Sequence, residues 1–176
     1  MSTADAKPAT LHLFCGRIAA GKSTLARQLA AGPATLLIAL DDWTSVLYPT
    51  EMRTIDDFWL LTARIRQIMG PHVVAILKQG ISISLDFPAN TVQWRSWMRT
   101  LIDKAGVAHQ LHLLDVPDMI CRERLRQRNA SGGNPYQVDE ATYDVFMQYF
   151  VPPAPDEGFN IVVHSPASIG NGVGEP

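Results

Sequence analysis

Residues 16–24 read Gly16-Arg17-Ile18-Ala19-Ala20-Gly21-Lys22-Ser23-Thr24, which matches the pattern G-x-x-x-x-G-K-[S/T]. The glycines of such a loop let the backbone wrap around a phosphate group with its N–H groups pointing inward. The lysine can reach the β- and γ-phosphates of a nucleotide, and the serine hydroxyl can bind Mg²⁺. We therefore predict a nucleotide phosphate site formed by Gly16, Ala19, Ala20, Gly21, Lys22, Ser23 and Thr24.

The residues on either side of this loop fit a strand–loop–helix unit. Residues 11–15 form a short apolar run, as expected of a buried parallel strand. Residues 22–31 are rich in helix formers, and Gly32-Pro33 then ends the helix. The N-terminus of this helix carries a partial positive charge, which favours the same phosphate.

The rest of the chain alternates between strand-like and helical segments. Short apolar runs predict five strands, at residues 11–15, 35–40, 81–85, 109–114 and 159–163. Helical segments lie between them, at residues 22–31, 55–78, 91–104, 117–129 and 139–150. Alternation of this kind indicates parallel strands with helices on both faces. We therefore predict an α/β protein with the P-loop NTPase fold and a five-stranded, mostly parallel sheet.

Length and composition indicate one globular domain. The chain has 176 residues, of which 47% are hydrophobic and 18% charged, and this suffices for one sizeable core. We expect a single P-loop domain over residues 10–165, with flexible tails at 1–9 and 166–176. Within the domain, residues 130–138 are rich in loop-forming residues and are the candidate lid loop.

Charge and cysteine content limit the expected partners. The net charge of −2 gives no general basic surface for nucleic acid. The two cysteines, Cys15 and Cys121, lie in apolar or helical stretches and are expected to be buried, reduced thiols of a cytoplasmic protein. No stretch is long and apolar enough to span a bilayer, and we expect no membrane partner.

Two aspartates follow the second predicted strand. Ligands of open α/β sheets bind beyond the carboxyl ends of the strands, so Asp41 and Asp42 should face the phosphate loop. A carboxylate there can accept the proton of an attacking hydroxyl. Alternatively, one of them caps the helix expected to begin at Trp43-Thr44. We assign the base to Asp41 because it directly follows the apolar run, and Asp42 remains the alternative.

A third aspartate, Asp86, ends the third predicted strand. A carboxylate at this position is typical of the Mg²⁺-organising acid of P-loop proteins. We therefore predict a metal site formed by Ser23 and Asp86. The alternative is a turn aspartate before Phe87-Pro88.

Four arginines alternate along one predicted helix. Arg124 and Arg128 share one face, and Arg122 and Arg126 share another, because residues four apart are neighbours on a helix surface. One pair can point at the transferred phosphate, where guanidinium groups suit the charge of the transition state. We assign that role to Arg124 and Arg128, and the alternative is a solvated basic face.

Aromatic residues lie close in sequence to the aspartates. Apolar walls for a substrate pocket are expected from Trp43, Tyr48, Phe87 and Trp94, with core packing as the alternative. A local basic groove for a polynucleotide would need Arg95 and Arg99 together with the arginine helix. The five histidines show no metal-ligand spacing, and we predict no role for them.

Several motifs resemble, in their order, those of one family. They are the phosphate loop, L-D-D-W at residues 40–43, L-D at 85–86, C-R-E-R-L-R-Q-R at 121–128 and P-x-x-x-E-G at 153–158. Over residues 10–165 the chain thus resembles the small P-loop kinases of the zeta-toxin, chloramphenicol-phosphotransferase and polynucleotide-kinase-like group.

The resemblance implies an ATP- and Mg²⁺-dependent kinase in which Asp41 is the base and Arg124 and Arg128 belong to a lid over ATP. Polynucleotide kinases of the group carry an arginine three residues after that aspartate, whereas this chain has Thr44. We therefore expect the acceptor to be the hydroxyl of a small molecule and not nucleic acid, in a monomer or homodimer. The alternatives are an ATPase or switch module that acts through a partner, and a polynucleotide 5′-hydroxyl kinase.

Overall fold

The computed structural model describes residues 8–131 and 138–166. This part of the chain forms five strands: β1 (Thr10–Gly16), β2 (Thr35–Ala39), β3 (Ser82–Pro88), β4 (Ala108–Leu114) and β5 (Ile161–His164). It also forms six α-helices: α1 (Lys22–Ala30), α2 (Leu40–Leu47), α3 (Ile55–Lys78), α4 (Val92–Ala105), α5 (Asp118–Ser131) and α6 (Glu140–Met147). A short 3₁₀ turn, Pro155–Glu157, precedes β5.

The five strands form one sheet in the order β2-β3-β1-β4-β5, and all neighbouring pairs are parallel. This confirms the predicted fold class. The order places β1 at the centre, between β3 and β4, and the chain leaves β1 directly into the phosphate loop. Such a point, where the strand order reverses, is where open α/β sheets bind their ligands.

Hydrophobic packing covers both faces of the sheet. The larger cluster joins the strands to α3 and α4 through Leu11, Leu13, Ile65, Met69, Val73, Met98 and Leu101. A second cluster seats α5 and α6 beside the phosphate loop through Ala20, Leu114, Val116, Cys121, Leu125 and Tyr143. On the sheet itself, the buried Ser84 hydroxyl donates to the Ala26 carbonyl at 2.8 Å and fixes α1 against β3. Burial of these apolar side chains is the main stabilising contribution.

The second strand is shorter than predicted, and the helix after it begins earlier. β2 ends at Ala39, and α2 starts at Leu40 instead of at Trp43-Thr44. Leu40 is buried against the core, which favours turning the chain there. Asp41 and Asp42 therefore lie in the first turn of α2, where negative side chains interact favourably with the helix dipole.

Parts of the predicted lid loop and tails lie outside the described residues, namely 132–137, 1–7 and 167–176. At the edges of these segments, residues 130 and 131 continue α5, and Ala9 is buried in the core although it falls in the predicted tail. Both cysteines are free and buried, as expected. No helix in the described part of the chain is both long and apolar enough to cross a membrane.

Candidate active site

The phosphate loop adopts a backbone that requires its glycines. Gly21 has φ +104° and forms the N-cap of α1 in a left-handed conformation, which a side chain would strain. A Cβ on Gly16 would lie 3.0 Å from the Leu114 carbonyl oxygen and 3.1 Å from the Leu114 Cβ. Ala19 is also left-handed, with φ +60°. The first N–H groups of α1 have no partners within the helix and are available to an anion at its N-terminus.

Lys22 closes this loop from inside. Its Nζ donates to the carbonyl oxygens of Gly16 and Arg17, both at 2.7 Å. Burial lowers the pKa of Lys22, and the charge of Asp86 is the largest effect that opposes this shift. The lysine charge is thus held at the centre of the loop by two carbonyl groups and a nearby carboxylate.

Ser23 and Asp86 lie together at the start of α1. The Ser23 hydroxyl hydrogen-bonds the Asp86 carboxylate and lowers its pKa, whereas burial, the larger effect, raises it. Asp86 lies inside β3, opposite Ala39 of β2, and not at the end of the strand as predicted. The structure thus brings together the two residues that the sequence predicts as metal ligands.

The donor set at Ser23 and Asp86 suits Mg²⁺. This ion binds oxygen ligands and is commonly held by one or two protein groups together with substrate phosphates. Within residues 8–131 and 138–166, no group of three or more His, Cys, Asp or Glu side chains could hold a metal ion. A cation at these two residues would therefore depend on nucleotide phosphates to complete its ligand shell.

Asp41 faces the same edge of the sheet. Asp41 is an exposed residue, yet neighbouring protein atoms desolvate its carboxyl group and raise its pKa. The charge of Asp86 raises the pKa further, whereas Lys22 and Arg128 lower it. Asp42 adds negative charge to both Asp41 and Asp86. Both aspartates thus lie near the loop, and the geometry leaves Asp42 open as an alternative base.

The arginines of α5 divide into two pairs. Arg124 Nη1 donates to the Ala20 carbonyl of the phosphate loop at 3.3 Å. Arg128 acts electrostatically on Asp41, and burial lowers its pKa. Its Nε is buried and has no hydrogen-bond partner in the described part of the protein. These two side chains face the site from the lid side.

The other pair is held by carboxylates. Arg122 contacts Asp118 at 2.7 Å and Asp144 at 2.6 Å. Arg126 contacts Glu123 at 2.8 Å and Glu140 at 2.9 Å. The contacts to Asp144 and Glu140 fasten α6 to α5, so this pair of arginines organises the helices and does not face the phosphate loop.

Two of the four expected aromatic wall residues cannot line an open pocket. Phe87 and Trp94 are each 1% exposed and pack in the core. Trp43 and Tyr48 instead line a groove between α2 and α3, with Leu47, Ile65, Ile68 and Met69. A different aromatic cluster joins the first turn of α3 to the end of α6, where Phe58 and Phe146 are 5.3 Å apart and Trp59 and Tyr149 are 5.7 Å apart.

The contacts of four polar residues around the site were not predicted from the sequence. The side-chain oxygen of Asn90 accepts a hydrogen bond from the Gly16 N–H at 3.0 Å. The Arg17 guanidinium lies 5.4 Å from the centre of the Phe150 ring. Arg95, considered for a basic groove, is fully buried and paired with Glu157 at 2.6 Å. Only Glu157 had a signal in the sequence, as part of the P-x-x-x-E-G motif.

Comparisons with known proteins agree with this geometry. A family profile described as an AAA domain, AAA_33, matches residues 11–153. Comparison of the sequence with curated proteins gave no significant match. A candidate kinase from Chloroflexus aurantiacus superposes with a TM-score of 0.70 at 20% identity, covering 90% of this chain and 86% of the other.

Two further solved structures contain nucleotide-site ligands. The APS kinase CysC of Mycobacterium tuberculosis, in complex with AMPPNP and APS, has a TM-score of 0.60 and 15% identity, with 90% and 89% of the chains covered. Kti12 of Chaetomium thermophilum, in complex with ADP-AlF3, has a TM-score of 0.63 and 14% identity, with 90% and 93% covered. These likenesses confirm the predicted fold, which this chain shares with small P-loop kinases.

Proposed function

The chain belongs to the AAA_33 family of AAA domains, and we propose that it is an ATP- and Mg²⁺-dependent kinase that phosphorylates a hydroxyl group of a small molecule. The observation that carries this proposal is the electrostatic coupling of Asp41 to Lys22, Asp86 and Arg128 at one edge of the sheet. A carboxylate that is electrostatically coupled to both the loop lysine and an arginine of α5 suits a base beside a transferred phosphate.

Asp41 is the proposed base. In this mechanism the acceptor hydroxyl oxygen forms the new O–P bond, Asp41 accepts the hydroxyl proton, and ADP leaves with the electrons of the broken bond. The raised pKa of Asp41 makes it a better proton acceptor than an ordinary aspartate, because basicity follows pKa. Its place in the first turn of α2 keeps the carboxylate fixed at the rim of the site.

The remaining charges are proposed to hold the nucleotide and the charge that develops on it. Lys22 and the backbone of the loop bind the phosphates, and Ser23 and Asp86 would hold Mg²⁺. Mg²⁺, when bound, supplies positive charge to the phosphate oxygens. Arg124 and Arg128 approach from α5 and neutralise the transferred group, because neither guanidinium group makes an ion pair within residues 8–131 and 138–166.

Two observations favour a small-molecule acceptor over a polynucleotide. Arg95 is fully buried and Arg99 donates to the Glu157 carbonyl at 3.1 Å, so these two do not form the basic groove considered above. Thr44 stands where polynucleotide kinases of the group carry an arginine. It is buried and donates to the Asp41 carbonyl at 3.2 Å, so this position supplies no positive charge. The likeness to an APS kinase solved in complex with AMPPNP and APS adds support.

The test is a transfer assay with γ-labelled Mg-ATP at physiological salt, on a panel of small hydroxyl compounds and on 5′-hydroxyl oligonucleotides. We expect labelled small-molecule product and only background labelling of oligonucleotides. The variant Asp41→Asn should retain ATP binding and lose transfer by about 10²-fold or more. Efficient labelling of oligonucleotides would contradict the acceptor class, and hydrolysis unaffected by every acceptor would favour the ATPase or switch alternative.

A further inference from the structure

We infer that Asn90 is a positioning residue for nucleotide binding, acting through the first glycine of the phosphate loop. This inference rests on the proposed binding of nucleotide at that loop. Asn90 lies between β3 and α4, and it has no sequence signal beyond a turn after Pro88. Its importance comes from a contact that spans 74 positions of the chain, the hydrogen bond from Gly16 N–H to the Asn90 side-chain oxygen at 3.0 Å.

Gly16 is held from three directions. Asn90 accepts a hydrogen bond from its N–H, Lys22 donates to its carbonyl oxygen at 2.7 Å, and Leu114 at the end of β4 leaves no room for a side chain on Gly16. The orientation of the Gly16 carbonyl therefore depends on Asn90, and Lys22 in turn depends on that carbonyl. Loss of the Asn90 acceptor would release the N-terminal end of the loop and disorder the lysine that should bind phosphate.

Asn90 itself is fixed by a network in which every bond is made to the backbone. The Val151 N–H donates to the Asn90 carbonyl oxygen at 2.8 Å, and the Ala89 N–H donates to the Phe14 carbonyl oxygen at 2.9 Å. The fully buried Arg95 donates to the carbonyl oxygens of Ala89 at 3.0 Å and of Val151 at 2.7 Å. Residues 89 and 90 are thus clamped between the end of β1 and the segment after α6.

Glu157 completes the clamp. It accepts from Arg95 through both carboxylate oxygens, at 2.6 and 2.8 Å, and a two-pronged pair of this kind fixes the guanidinium plane. The hydrogen bond to Arg95 lowers the pKa of Glu157, so the pair remains charged at neutral pH. The rigidity of Asn90 therefore originates in the P-x-x-x-E-G motif and is passed to the phosphate loop by one amide oxygen.

A second contact links the phosphate loop to the segment that follows α6. Arg17, the next residue of the loop, stacks on Phe150, which adjoins Val151. Arg17 thus contacts the segment that follows α6 directly, and Gly16 is connected to it through Asn90. Ion pairs join α6 itself to α5. Asn90 is the point at which this support reaches the backbone of the phosphate loop.

The test compares three variants of the full chain by nucleotide binding and by amide hydrogen exchange at Gly16. Asn90→Ala removes the acceptor, and we expect about tenfold weaker binding of a fluorescent Mg-ATP analogue and at least tenfold faster Gly16 exchange. Asn90→Asp keeps an acceptor of the same shape, and it should restore slow Gly16 exchange. Binding by this variant should stay weak, because its negative charge lies beside the phosphates.

Thr91→Ala is the matched control. The Thr91 side chain caps α4 by accepting from the Trp94 N–H at 3.2 Å, and among the described residues it makes no hydrogen bond to the phosphate loop. This variant should lower the melting temperature yet leave Gly16 exchange and nucleotide affinity within about twofold of wild type. If Asn90→Ala behaves like Thr91→Ala in both measurements, the inference is wrong. A wild-type protein that fails to bind the Mg-ATP analogue would instead contradict the proposed function.

Discussion

The two faces of α5 carry the same residue type in opposite electrostatic settings. Arg122 and Arg126 each contact two carboxylates, and these contacts raise the pKa of both side chains. Arg124 and Arg128 make no ion pair in the described part of the chain, and burial lowers the pKa of Arg128. The first face fastens α6 to α5, whereas the second turns positive charge toward the phosphate loop.

This difference indicates how positively charged side chains can remain available to an anionic ligand. A half-buried guanidinium without a counter-charge is destabilised by desolvation, and an anion that binds beside it recovers that energy. The exposed pairs on the other face gain little from each contact, but several together fix the angle between two helices. We propose that the fold thus separates arginines that maintain structure from arginines that are available to bind phosphate.

Among variants of the two faces of α5, Arg128→Ala is expected to have the largest effect on kcat. We expect kcat to fall by about 10²–10³-fold, because a guanidinium that stabilises transferred charge contributes at this scale. The folded state should be retained, since the buried Nε of Arg128 has no hydrogen-bond partner among the described residues that the variant would leave unpaired. Arg128→Lys should recover only part of kcat, because an ammonium lacks the planar fork. Steady-state transfer kinetics measure both variants. A kcat of Arg128→Ala within twofold of wild type would show that Arg128 takes no part in the mechanism.

A second prediction measures the cost of placing a charge on a buried histidine. Three histidines form a chain across β1, β4 and β5, with His12 and His112 nitrogens 3.1 Å apart and His112 and His164 nitrogens 2.9 Å apart. Burial and its neighbours lower the pKa of His112 from 6.5 to about 4. As pH falls from about 6.5 to 4, His112 becomes protonated in the unfolded chain but stays neutral in the folded protein. The free energy of unfolding therefore decreases, by at most about 3 kcal/mol.

Denaturant unfolding between pH 7 and pH 4.5 checks this histidine prediction. The variant His112→Gln keeps a donor and an acceptor but cannot titrate, so its free energy of unfolding should fall less steeply with acidification than that of wild type. Parallel curves for the two proteins would show that His112 keeps an ordinary pKa in the folded state.

The smallest effect on activity is expected from the face of α5 whose arginines, Arg122 and Arg126, form ion pairs. Arg122→Ala removes the contacts to Asp118 and Asp144, so α6 should be less firmly held and the melting temperature should fall slightly. Because Arg122 does not face the loop, kcat and the KM for ATP should stay within about twofold of wild type. A loss of kcat as large as that of Arg128→Ala would erase the distinction between the two faces.

Local patterns in the sequence were sufficient to predict the fold class and the phosphate loop. The phosphate loop, the all-helical span Ile55–Lys78 and the five strands follow from turn chemistry and periodicity within short windows. The start of α2 was misplaced because the strand and helix adjoin with no loop between them, and burial of Leu40 decides the boundary.

The contacts that could not be predicted join residues far apart in the chain. The Asn90–Gly16 bond spans 74 positions, and the His12–His112 contact spans 100. Such pairs depend on which strands become neighbours, and one sequence specifies that order only through the complete fold. The same reasoning explains Phe87 and Trp94, whose aromatic character alone cannot distinguish a core side chain from a pocket wall.

The central claim, that Gly16–Ser23 binds nucleotide phosphate through Lys22, is tested most directly by thermal melts with and without Mg-ATP for wild type and Lys22→Ala. We predict that Mg-ATP raises the melting temperature of wild type, because a ligand that binds only the folded state stabilises it. Lys22→Ala should fold and show little or no shift at the same nucleotide concentration. Equal stabilisation of both proteins by Mg-ATP would contradict the account, since the nucleotide would then bind without the lysine of the loop.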